Sequence, residues 1–597
     1  MTLPSLSSAA LSVMDAFQIE VLVPLQPYLE EVSFSEGDVI FEIGSAPEAF
    51  YVIDEGEVRL EVPSPEPDTD TTLEFSGFGS FVGEVAFLAG TEHWFTAIAH
   101  TGVVAHKVST QGLRRLYHDN PEDGLKVARA LARDTATKLR RTSERMADYL
   151  DADAPDPEVE DMVARANAAQ QELESWSEER VDALLEDIAN AVSARAEELA
   201  DLEIAETTIG NRDDKVIKNQ LGSLGVYSSL AGQPGYGVLS SDDERKVTEI
   251  ASPVGVVFGI IPLTNPVPTI VNKTLISLKS RNALIFSVHR RAQDCGNVTG
   301  ELVQGVLERH GAPVDLVQWV RGRTSRRRTA KFMRHEGIGL ILATGGPGMV
   351  KAAYSSGKPA IGVGAGNAPA WVAADADADA VAQAVIDSKG FDNGLICGSE
   401  QHLVVDSSIR ESLVDALERH GAAVLDEEQT GRFMEAVFDP QTNDLLLQFV
   451  GRDASLIAQA AGVERPDVRL VVFQADSSDP HGAAAHERLA PVVSLFTVDG
   501  DDQAVWLCKQ LLAHDGAGHT AIVHTADRQR IERFALAMPT SRILANVPAA
   551  HGCAGVATGL LPTWTLGCGT WGGNSTTDNV GHHNLRNVKR LAEPVGG

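Results

Sequence analysis

The sequence predicts a multidomain protein in which an all-β domain over residues 1–150 precedes an α/β region over residues 163–597. At 597 residues the chain is too long for one hydrophobic core. Residues 30–108 show short alternating apolar and polar runs separated by turn residues, which is typical of a barrel or sandwich. Beyond residue 163, helical and strand-like stretches alternate, which is typical of parallel sheets covered by helices.

The β-rich part contains three strand candidates and then changes to a helical pattern. The strands are predicted at residues 39–41, 50–53 and 58–62. A helix is predicted from Pro121 to about Leu150, with its apolar residues on one face. These residues are Leu125, Val127, Ala128, Leu131 and Ala132. The acidic, proline-bearing stretch that starts at residue 151 predicts a linker over residues 151–162.

Three segments of the first domain resemble the cyclic-nucleotide-binding fold. They are residues 34–41 (FSEGDVIF), 50–59 (FYVIDEGEVR) and 83–88 (GEVAFL). The resemblance implies a barrel with a trailing helix and a cyclic nucleotide as the candidate ligand. In that family an arginine neutralises the cyclic phosphate, but this chain has His93 there, followed by the bulky Trp94. A neutral imidazole and an indole make a poor anion site. We therefore expect the barrel without nucleotide binding, as a sensor, packing or oligomerisation module.

Two apolar segments predict buried strands in the α/β region. Residues 250–261 are almost continuously apolar, as expected for a strand covered on both faces. Residues 340–344 form the second, and they run into a glycine turn and a helix over residues 349–354. A glycine turn that opens a helix can accept phosphate through its free N–H groups. A tight connection between strand and helix explains the same glycines, and both interpretations stay open.

Composition excludes several classes of protein. The formal net charge is −33, and residues 1–100 hold 18 acidic side chains against Arg59 alone, so the N-terminal domain repels nucleic acid. No apolar run is long enough to span a membrane, and no signal peptide is evident. Five scattered cysteines without a CxxC pair predict neither a disulfide framework nor a metal site. We therefore expect a cytoplasmic protein without a metal.

A cationic segment contrasts with this acidic background, with seven cations in 14 residues and no acid between them. They are Arg321, Arg323, Arg326, Arg327, Arg328, Lys331 and Arg334. The segment fits a solvated helix face, a site for cofactor phosphates, or a surface that docks the acidic N-terminal domain. The sequence does not choose among these three.

The segment over residues 390–401 (GFDNGLICGSEQ) places Cys397 among small and turn-forming residues. The pair Asn393-Gly394 favours a tight turn just before the thiol. A catalytic cysteine needs surroundings that lower its pKa or stabilise the anion that it generates. A buried core cysteine is the usual alternative, but the flanking residues favour a nucleophile.

Ordered motifs over residues 163–597 resemble the CoA-acylating aldehyde dehydrogenases, and most closely the N-terminal half of bifunctional aldehyde–alcohol dehydrogenases. The motifs lie at residues 214–219, 235–239, 262–266, 273–279, 343–359, 362–367, 390–401, 518–520 and 566–575. The resemblance implies a Rossmann-like cofactor domain, a catalytic domain and an oligomerising hairpin, mainly at residues 163–385, 386–560 and 561–597. It also implies a homo-oligomer. We do not expect the alcohol dehydrogenase half in this chain.

The resemblance also assigns chemistry to named residues. Cys397 would attack the aldehyde carbonyl, and Asn265 would stabilise the oxyanion together with the Cys397 backbone N–H. Hydride transfer to a nicotinamide would then leave a thioester on Cys397. His519 is a candidate for proton handling, and a structural role in its glycine turn is equally compatible with the sequence.

The resemblance places the nicotinamide cofactor on glycine segments, a strand end and Glu487, which matches the glutamate that holds the nicotinamide ribose. The residues are Pro262, Leu263, Thr264, Ser287, His289, Arg290, Gly345, Gly346, Gly348, Gly364 and Glu487. At residues 288–291 (VHRR) no acid is available for the adenosine ribose, and Arg290 adds a cation. We therefore expect NADP to be accepted as well as NAD, although Arg290 could equally serve a phosphate of coenzyme A.

One missing residue is informative. Hydrolytic aldehyde dehydrogenases activate water with a glutamate in the segment that corresponds to residues 362–367, which contain no carboxylate here. Without a general base, water attack slows by about 10²–10⁴-fold, whereas the more acidic thiol of coenzyme A needs less assistance. We therefore expect acyl transfer to CoA, in a reaction that also runs in reverse.

The sequence does not identify the aldehyde. Acetaldehyde is the default from the resemblance, and a functionalised aldehyde such as sulfoacetaldehyde is the alternative. A sensor or scaffold protein with a vestigial dehydrogenase is a competing hypothesis. The joint presence of Cys397, Asn265 and Glu487 argues against it.

Overall fold

The computed structural model describes residues 25–63, 70–76, 80–129, 131–132, 135, 155–322, 325–439 and 443–595. The chain divides into two compact units, residues 1–153 and 154–597. Among the described residues, no helix is both long and apolar enough to cross a bilayer.

The first unit contains two antiparallel four-stranded sheets, which confirms the predicted all-β domain. The strands are β1 (Leu29–Phe34), β2 (Val39–Phe41), β3 (Ala49–Glu55), β4 (Val58–Pro63), β5 (Asp70–Ser76), β6 (Phe81–Val82), β7 (Thr96–Ala99) and β8 (Val103–Ser109). The sheet orders are β1-β8-β3-β6 and β2-β7-β4-β5. Helix α1 (Glu84–Ala89) follows β6, and α2 (Thr110–Asp119) follows β8.

The helix predicted from Pro121 to Leu150 is described over residues 121–129, and most of the remainder lies outside the described residues. Val127 and Leu131 are buried as predicted, whereas Leu125 is 61% exposed and Ala132 is also exposed. The prediction was wrong for Leu125 and Ala132, because residues one or two positions apart on a helix do not face the same side.

The second unit begins with a group of helices. They are α3 (Pro157–Glu174), α4 (Glu178–Ala194), α5 (Ala196–Thr207), α6 (Arg212–Gln220) and α7 (Val226–Leu230), with a π-helical turn at Leu221–Gly225. Asp156 caps α3 by accepting the Glu158 N–H at 3.1 Å. Residues 157–162 therefore belong to a helix and not to the predicted linker. The misassigned Asp-Pro pair is also a helix-start signal, with the cap before proline at the first position.

A five-stranded parallel sheet forms the centre of the next part. Its strands are β11 (Val256–Ile261), β12 (Ala283–Val288), β13 (Val317–Trp319), β14 (Ile338–Thr344) and β15 (Ala360–Val363), in the order β13-β12-β11-β14-β15. The intervening helices are α8 (Pro266–Lys279), α9 (Gln293–Arg309), α10 (Arg326–Arg334) and α11 (Pro347–Tyr354). The strand order reverses at β11, and ligands of such sheets bind at the carboxyl ends of the strands near that point.

A three-stranded antiparallel sheet corrects two predictions. Its strands are β9 (Gly237–Asp242), β10 (Val247–Pro253) and β23 (Arg586–Ala592), in the order β23-β10-β9. The apolar run at residues 250–261 is divided between β10 and β11, because Gly255 turns the chain with a φ of 104°. Likewise, residues 561–597 supply one described strand and not a hairpin, since the hairpin is β9–β10. Periodicity cannot reveal a strand partner more than 300 residues away.

A seven-stranded parallel sheet completes the second unit. Its strands are β16 (Ala368–Val372), β17 (Glu400–Asp406), β18 (Ala422–Val424), β19 (Leu470–Ala475), β20 (Val492–Val498), β21 (Gly518–His524) and β22 (Thr540–Ala545), in the order β18-β19-β20-β17-β16-β21-β22. Its helices are α12 (Ala378–Lys389), α13 (Arg410–Arg419), α14 (Glu427–Val437), α15 (Ala454–Ala460), α16 (Asp501–His514), α17 (Arg528–Ala537) and α18 (Ala549–Cys553). Because β16 pairs in this sheet, the division placed at residue 385 comes before residue 368.

Candidate active site

A cavity of about 890 Å³ in the second unit is lined by strand ends of the five-stranded sheet and by segments outside the strands of the seven-stranded sheet. Ile261 and Ser287, at the ends of β11 and β12, line one part of it. Cys397, which precedes β17 of the other sheet, lines another part. The cavity therefore lies where the strand order predicts a ligand site.

Most of the predicted site residues line this cavity. They are Cys397, Asn265, Pro262, Leu263, Thr264, Ser287, His289, Arg290, Gly345, Gly346, Gly364 and Glu487. Two predicted residues do not line it: Gly348, which is exposed within α11, and His519, which is fully buried.

A left-handed turn delivers the cysteine to the cavity. Asp392, Asn393 and Gly394 have φ angles of 44°, 52° and 72°. This conformation is unfavourable for non-glycine residues, although Asp and Asn tolerate it best. Asn393 Nδ2 holds the turn in place by donating to the Gly451 carbonyl at 3.1 Å and to Asp453 at 2.9 Å. The predicted turn is confirmed, and its rigidity comes from distant contacts.

The Cys397 thiol is protonated at neutral pH in this state. Burial raises its pKa most strongly, and Cys553 and Glu487 raise it further, while Arg542 opposes them. Cys553 lies against the residue that follows the thiol, since a Cβ on Gly398 would meet Cys553 Sγ at 2.4 Å. Because the thiolate is the nucleophilic form, Cys397 must lose this proton before it attacks a carbonyl carbon.

Asn265 is placed to donate a hydrogen bond into the cavity. It occupies the N-cap position of α8, and its Nδ2 donates to Thr264 Oγ1 at 3.0 Å. An amide nitrogen carries two N–H groups, so this bond leaves one free. The chain can thus offer an amide donor in the cavity that also contains the thiol.

Glu487 is held by the glycine-rich segment after β15. Its Oε1 accepts the Gly366 N–H at 2.9 Å. Burial raises the pKa of Glu487 to about 8, and that hydrogen bond only partly opposes the shift. The carboxyl group is therefore mostly protonated at neutral pH.

His519 lies behind the cysteine segment. Its Cε1 is 3.3 Å from the position of a Cβ on Gly366 and 3.4 Å from that on Gly398. Its ring nitrogen Nδ1 is 2.9 Å from Thr520 Oγ1. Burial, reinforced by Arg542, lowers the pKa of His519 well below 6.5. A neutral imidazole in this position supports the backbone around Cys397.

Two cations line the cavity, Arg290 after β12 and Arg326 at the start of α10. In the cationic segment, Arg328 pairs with Asp156 at 3.1 Å and with Glu158 at 2.7 Å. Within the cationic segment, Arg328 is therefore held in ion pairs with α3 and the residue that caps it, whereas Arg326 lines the cavity. Arg323 lies outside the described residues.

Several lining residues escaped the sequence analysis. They are Cys553, Thr563, Trp564 and Leu566 among others. They come from separate loops and have no common spacing that could have indicated a site. Among the residues that the structure describes, no group of three or more His, Cys, Asp or Glu side chains could hold a metal ion.

In the first unit, the residue in place of the phosphate-binding arginine is packed as a core residue. His93 is 4% exposed and stacks on Phe41 with 3.8 Å between ring centroids. Burial lowers the pKa of His93, so its ring is neutral at pH 7. Trp94, beside it in sequence, is 61% exposed.

The chain matches the aldehyde dehydrogenase family over residues 134–559 and the cyclic nucleotide-binding domain over residues 31–120. A bifunctional aldehyde-alcohol dehydrogenase of Escherichia coli is 40% identical over 444 residues, covering 73% of this chain and 49% of that protein. The chain thus spans about half the length of this relative.

Two solved structures are similar to the second unit. An acetylating aldehyde dehydrogenase from Geobacillus thermoglucosidasius is 39% identical with a TM-score of 0.71, covering 74% of this chain and 97% of that one. A Rhodopseudomonas palustris propionaldehyde dehydrogenase with bound CoA and an acylated cysteine is 25% identical, with a TM-score of 0.67, covering 73% and 97%.

The two parallel sheets and the cysteine-bearing cavity define the second unit as a dehydrogenase domain of the aldehyde dehydrogenase type. The chain belongs to the aldehyde dehydrogenase family, and a cyclic nucleotide-binding domain precedes the enzyme domain.

Proposed function

We propose that this protein is a CoA-acylating aldehyde dehydrogenase, which reversibly converts a short aldehyde, CoA and NAD(P)⁺ to acyl-CoA and NAD(P)H. The observation that carries the proposal is the chemistry of the cavity wall. Cys397 and Asn265 line the cavity together, and Glu487 is the one carboxylate among its described lining residues. Residues 362–367, where a hydrolytic enzyme would place its water-activating glutamate, contain no carboxylate, and the Gly366 N–H donates to one oxygen of Glu487.

The chain's own residues account for the acyl-transfer steps. The Cys397 thiol loses its proton to solvent, and the thiolate Sγ bonds to the aldehyde carbon as the C=O π bond breaks, so that the carbonyl oxygen gains a negative charge. Asn265 Nδ2 and the Cys397 N–H stabilise that charge, and each such donor is worth about 2.7–4 kcal/mol in the transition state. A bound nicotinamide cofactor supplies the hydride acceptor. The resulting Cys397 thioester persists until a thiol enters, because residues 362–367 hold no carboxylate that could activate water.

The cavity has a part that fits the phosphates of a nicotinamide nucleotide. Gly346 is the N-cap of α11. A Cβ on Gly345 would come no closer than 3.7 Å to any neighbouring atom, and a Cβ on Gly346 would meet nothing within 4 Å, so both glycines have open space beside them. Backbone N–H groups at a helix start attract phosphate, and Arg290 and Arg326 line the same cavity. We infer that Arg290 allows NADP to be used beside NAD.

The surroundings of the thiol support a small uncharged aldehyde. Cys397 packs against a hydrophobic cluster that includes Ile396, Cys553 and Leu566, with Trp564 beside it. A sulfonate or carboxylate in this part would lose hydration without gaining a cation. We therefore favour acetaldehyde over sulfoacetaldehyde.

Val238 of β9 and Leu591 of β23 are 64% and 53% exposed, which supports a homo-oligomer through that sheet.

The test is NAD(P)H formation from acetaldehyde, propionaldehyde, succinate semialdehyde and sulfoacetaldehyde, with and without CoA. We expect acetaldehyde or propionaldehyde to give the highest rate, only when CoA is present. A Cys397→Ala variant should be inactive, and full CoA-dependent activity in that variant would overturn the catalytic assignment. A rate that is independent of CoA would indicate a hydrolytic enzyme instead.

A further inference from the structure

A buried cluster of charges joins the segments that build the active site. Asp392 is fully buried, and the side chains of Lys215 and Lys218 are 1% exposed. Lys215 Nζ lies 3.3 Å from Asp392 Oδ2, and Lys218 contacts the same oxygen. None of the three lines the cavity. Their effect on the reaction must therefore pass through other residues.

Each member of the cluster contacts a different part of the cavity wall. Lys215 Nζ donates to the carbonyl of Thr264, next to Asn265, at 3.4 Å. Lys218 Nζ lies 5.7 Å from the ring centroid of Trp564. Asp392 belongs to the left-handed turn that leads to Cys397. The charged cluster thus connects the loop that carries Asn265, the ring of Trp564 and the turn that leads to Cys397.

Asp392 is also tied through its backbone and its second oxygen. The Asn211 N–H donates to Asp392 Oδ1 at 2.7 Å, and the Asp392 N–H donates to Asp214 at 2.7 Å. These bonds span about 180 residues of sequence and offset the unfavourable φ of 44°. The hydrogen bonds from Asn211 and to Asp214 therefore hold Asp392 in this backbone conformation.

Glu203 of α5 supplies a second buried carboxylate beside the lysines. It accepts Asn219 Nδ2 at 3.0 Å, and its other oxygen is 3.4 Å from the Val267 N–H at the start of α8. Glu203 attracts both lysines, although burial raises the pKa of its carboxyl group. Buried charges persist when they are paired and hydrogen-bonded in this way.

We propose that Asp392, Lys215 and Lys218 are positioning residues, which fix the Cys397 turn relative to the loop that carries Asn265. The inference rests on the proposed function for its activity assay. The cluster sets the distance between nucleophile and oxyanion donor, and it leaves the binding of CoA and nucleotide to the cavity-lining residues. A misplacement of about 1 Å at a reacting centre costs about 10²-fold in rate.

The test compares Asp392→Asn and Lys218→Met, singly and together, with Lys279→Met as the matched control. Lys279 is another fully buried lysine, 2.7 Å from Glu178, at the opposite end of α8 from Asn265. The measurements are kcat, the KM for CoA and for NAD, the melting temperature, and the rate of Cys397 alkylation by iodoacetamide.

We expect the two cluster variants to lower kcat by about 10–100-fold, with KM values and the alkylation rate within about threefold of wild type. The double variant should lose little more than the worse single variant, because both changes break one unit. Lys279→Met should lower the melting temperature and leave kcat unchanged.

The inference would be overturned if the cluster variants fold and retain kcat. It would also be overturned if the losses of kcat in the two single variants add up in the double variant, or if Lys279→Met loses as much kcat as they do. If Asp392→Asn does not fold, Lys218→Met decides by the same criteria, with Lys215→Met as its partner in the double variant. A wild-type protein that is inactive with every aldehyde would instead refute the proposed function.

Discussion

Substitution of one glycine behind the nucleophile should disable the enzyme. A Cβ on Gly366 would lie 1.9 Å from the Cys397 carbonyl oxygen and 2.8 Å from its carbon. Real Cβ contacts are essentially never closer than 3.0 Å, so in Gly366→Ala the two backbone segments must separate by about 1.1 Å. A displacement of that size at the nucleophile lowers kcat by about 10²-fold, which corresponds to about 2.7 kcal/mol.

Gly431→Ala is the matched control for this prediction. Gly431 lies within α14 and does not line the cavity, and a Cβ there would meet nothing within 4 Å. We expect its kcat to stay within about threefold of wild type. The assay is CoA-dependent NADH formation at saturating substrates, with circular dichroism to verify folding. A folded Gly366→Ala variant with wild-type kcat would show that Cys397 need not be held where the structure has it.

Three further predictions concern the buried glutamate, the cofactor and the first unit. Burial raises the pKa of Glu487 to about 8, so its contribution to stability is lost as pH rises from about 4.5 towards 8. The free energy of unfolding of Glu487→Gln relative to wild type, measured by urea denaturation, should therefore be higher at pH 8.5 than at pH 5 by up to about 5 kcal/mol. Equal differences at the two pH values would contradict this. Wild type should use NADP and NAD at comparable rates. Arg290→Glu should raise the KM for NADP by about tenfold and leave the KM for NAD unchanged. Strict rejection of NADP by wild type would disprove the role of Arg290. Because neutral His93 is packed on Phe41, calorimetry should detect no binding of cyclic AMP or cyclic GMP to the full chain, and a measurable heat or a change in rate would refute that expectation.

Several residues that the sequence analysis selected line one cavity in the structure. Cys397 and the glycine turn at Gly345 and Gly346 lie in short segments with a local structural signal, whereas Asn265 followed only from the resemblance to acylating aldehyde dehydrogenases. The catalytic roles of these residues stay predictions. The missing carboxylate at residues 362–367 was also visible in the sequence, and Gly364 lines the cavity as expected.

The remaining features depend on contacts between distant segments. Asp392 and Lys218 meet across 174 residues of sequence, and periodicity contains no information about such a pair. The same limit explains why residues 250–261 were predicted as one strand: a φ of 104° at Gly255 and two different partner sheets divide them. His519 was ambiguous for the same reason, since only the packing behind Gly366 and Gly398 shows which side of the segment it occupies.

The central claim is that a thioester on Cys397 waits for CoA. Its most direct test is intact-protein and peptide mass spectrometry after incubation of the protein with acetaldehyde and NAD⁺ in the absence of CoA. We predict an acetyl group on the peptide that contains Cys397, which CoA removes rapidly and water removes slowly. Free acetate at the full catalytic rate without CoA, or an acetyl group on another residue, would contradict the account.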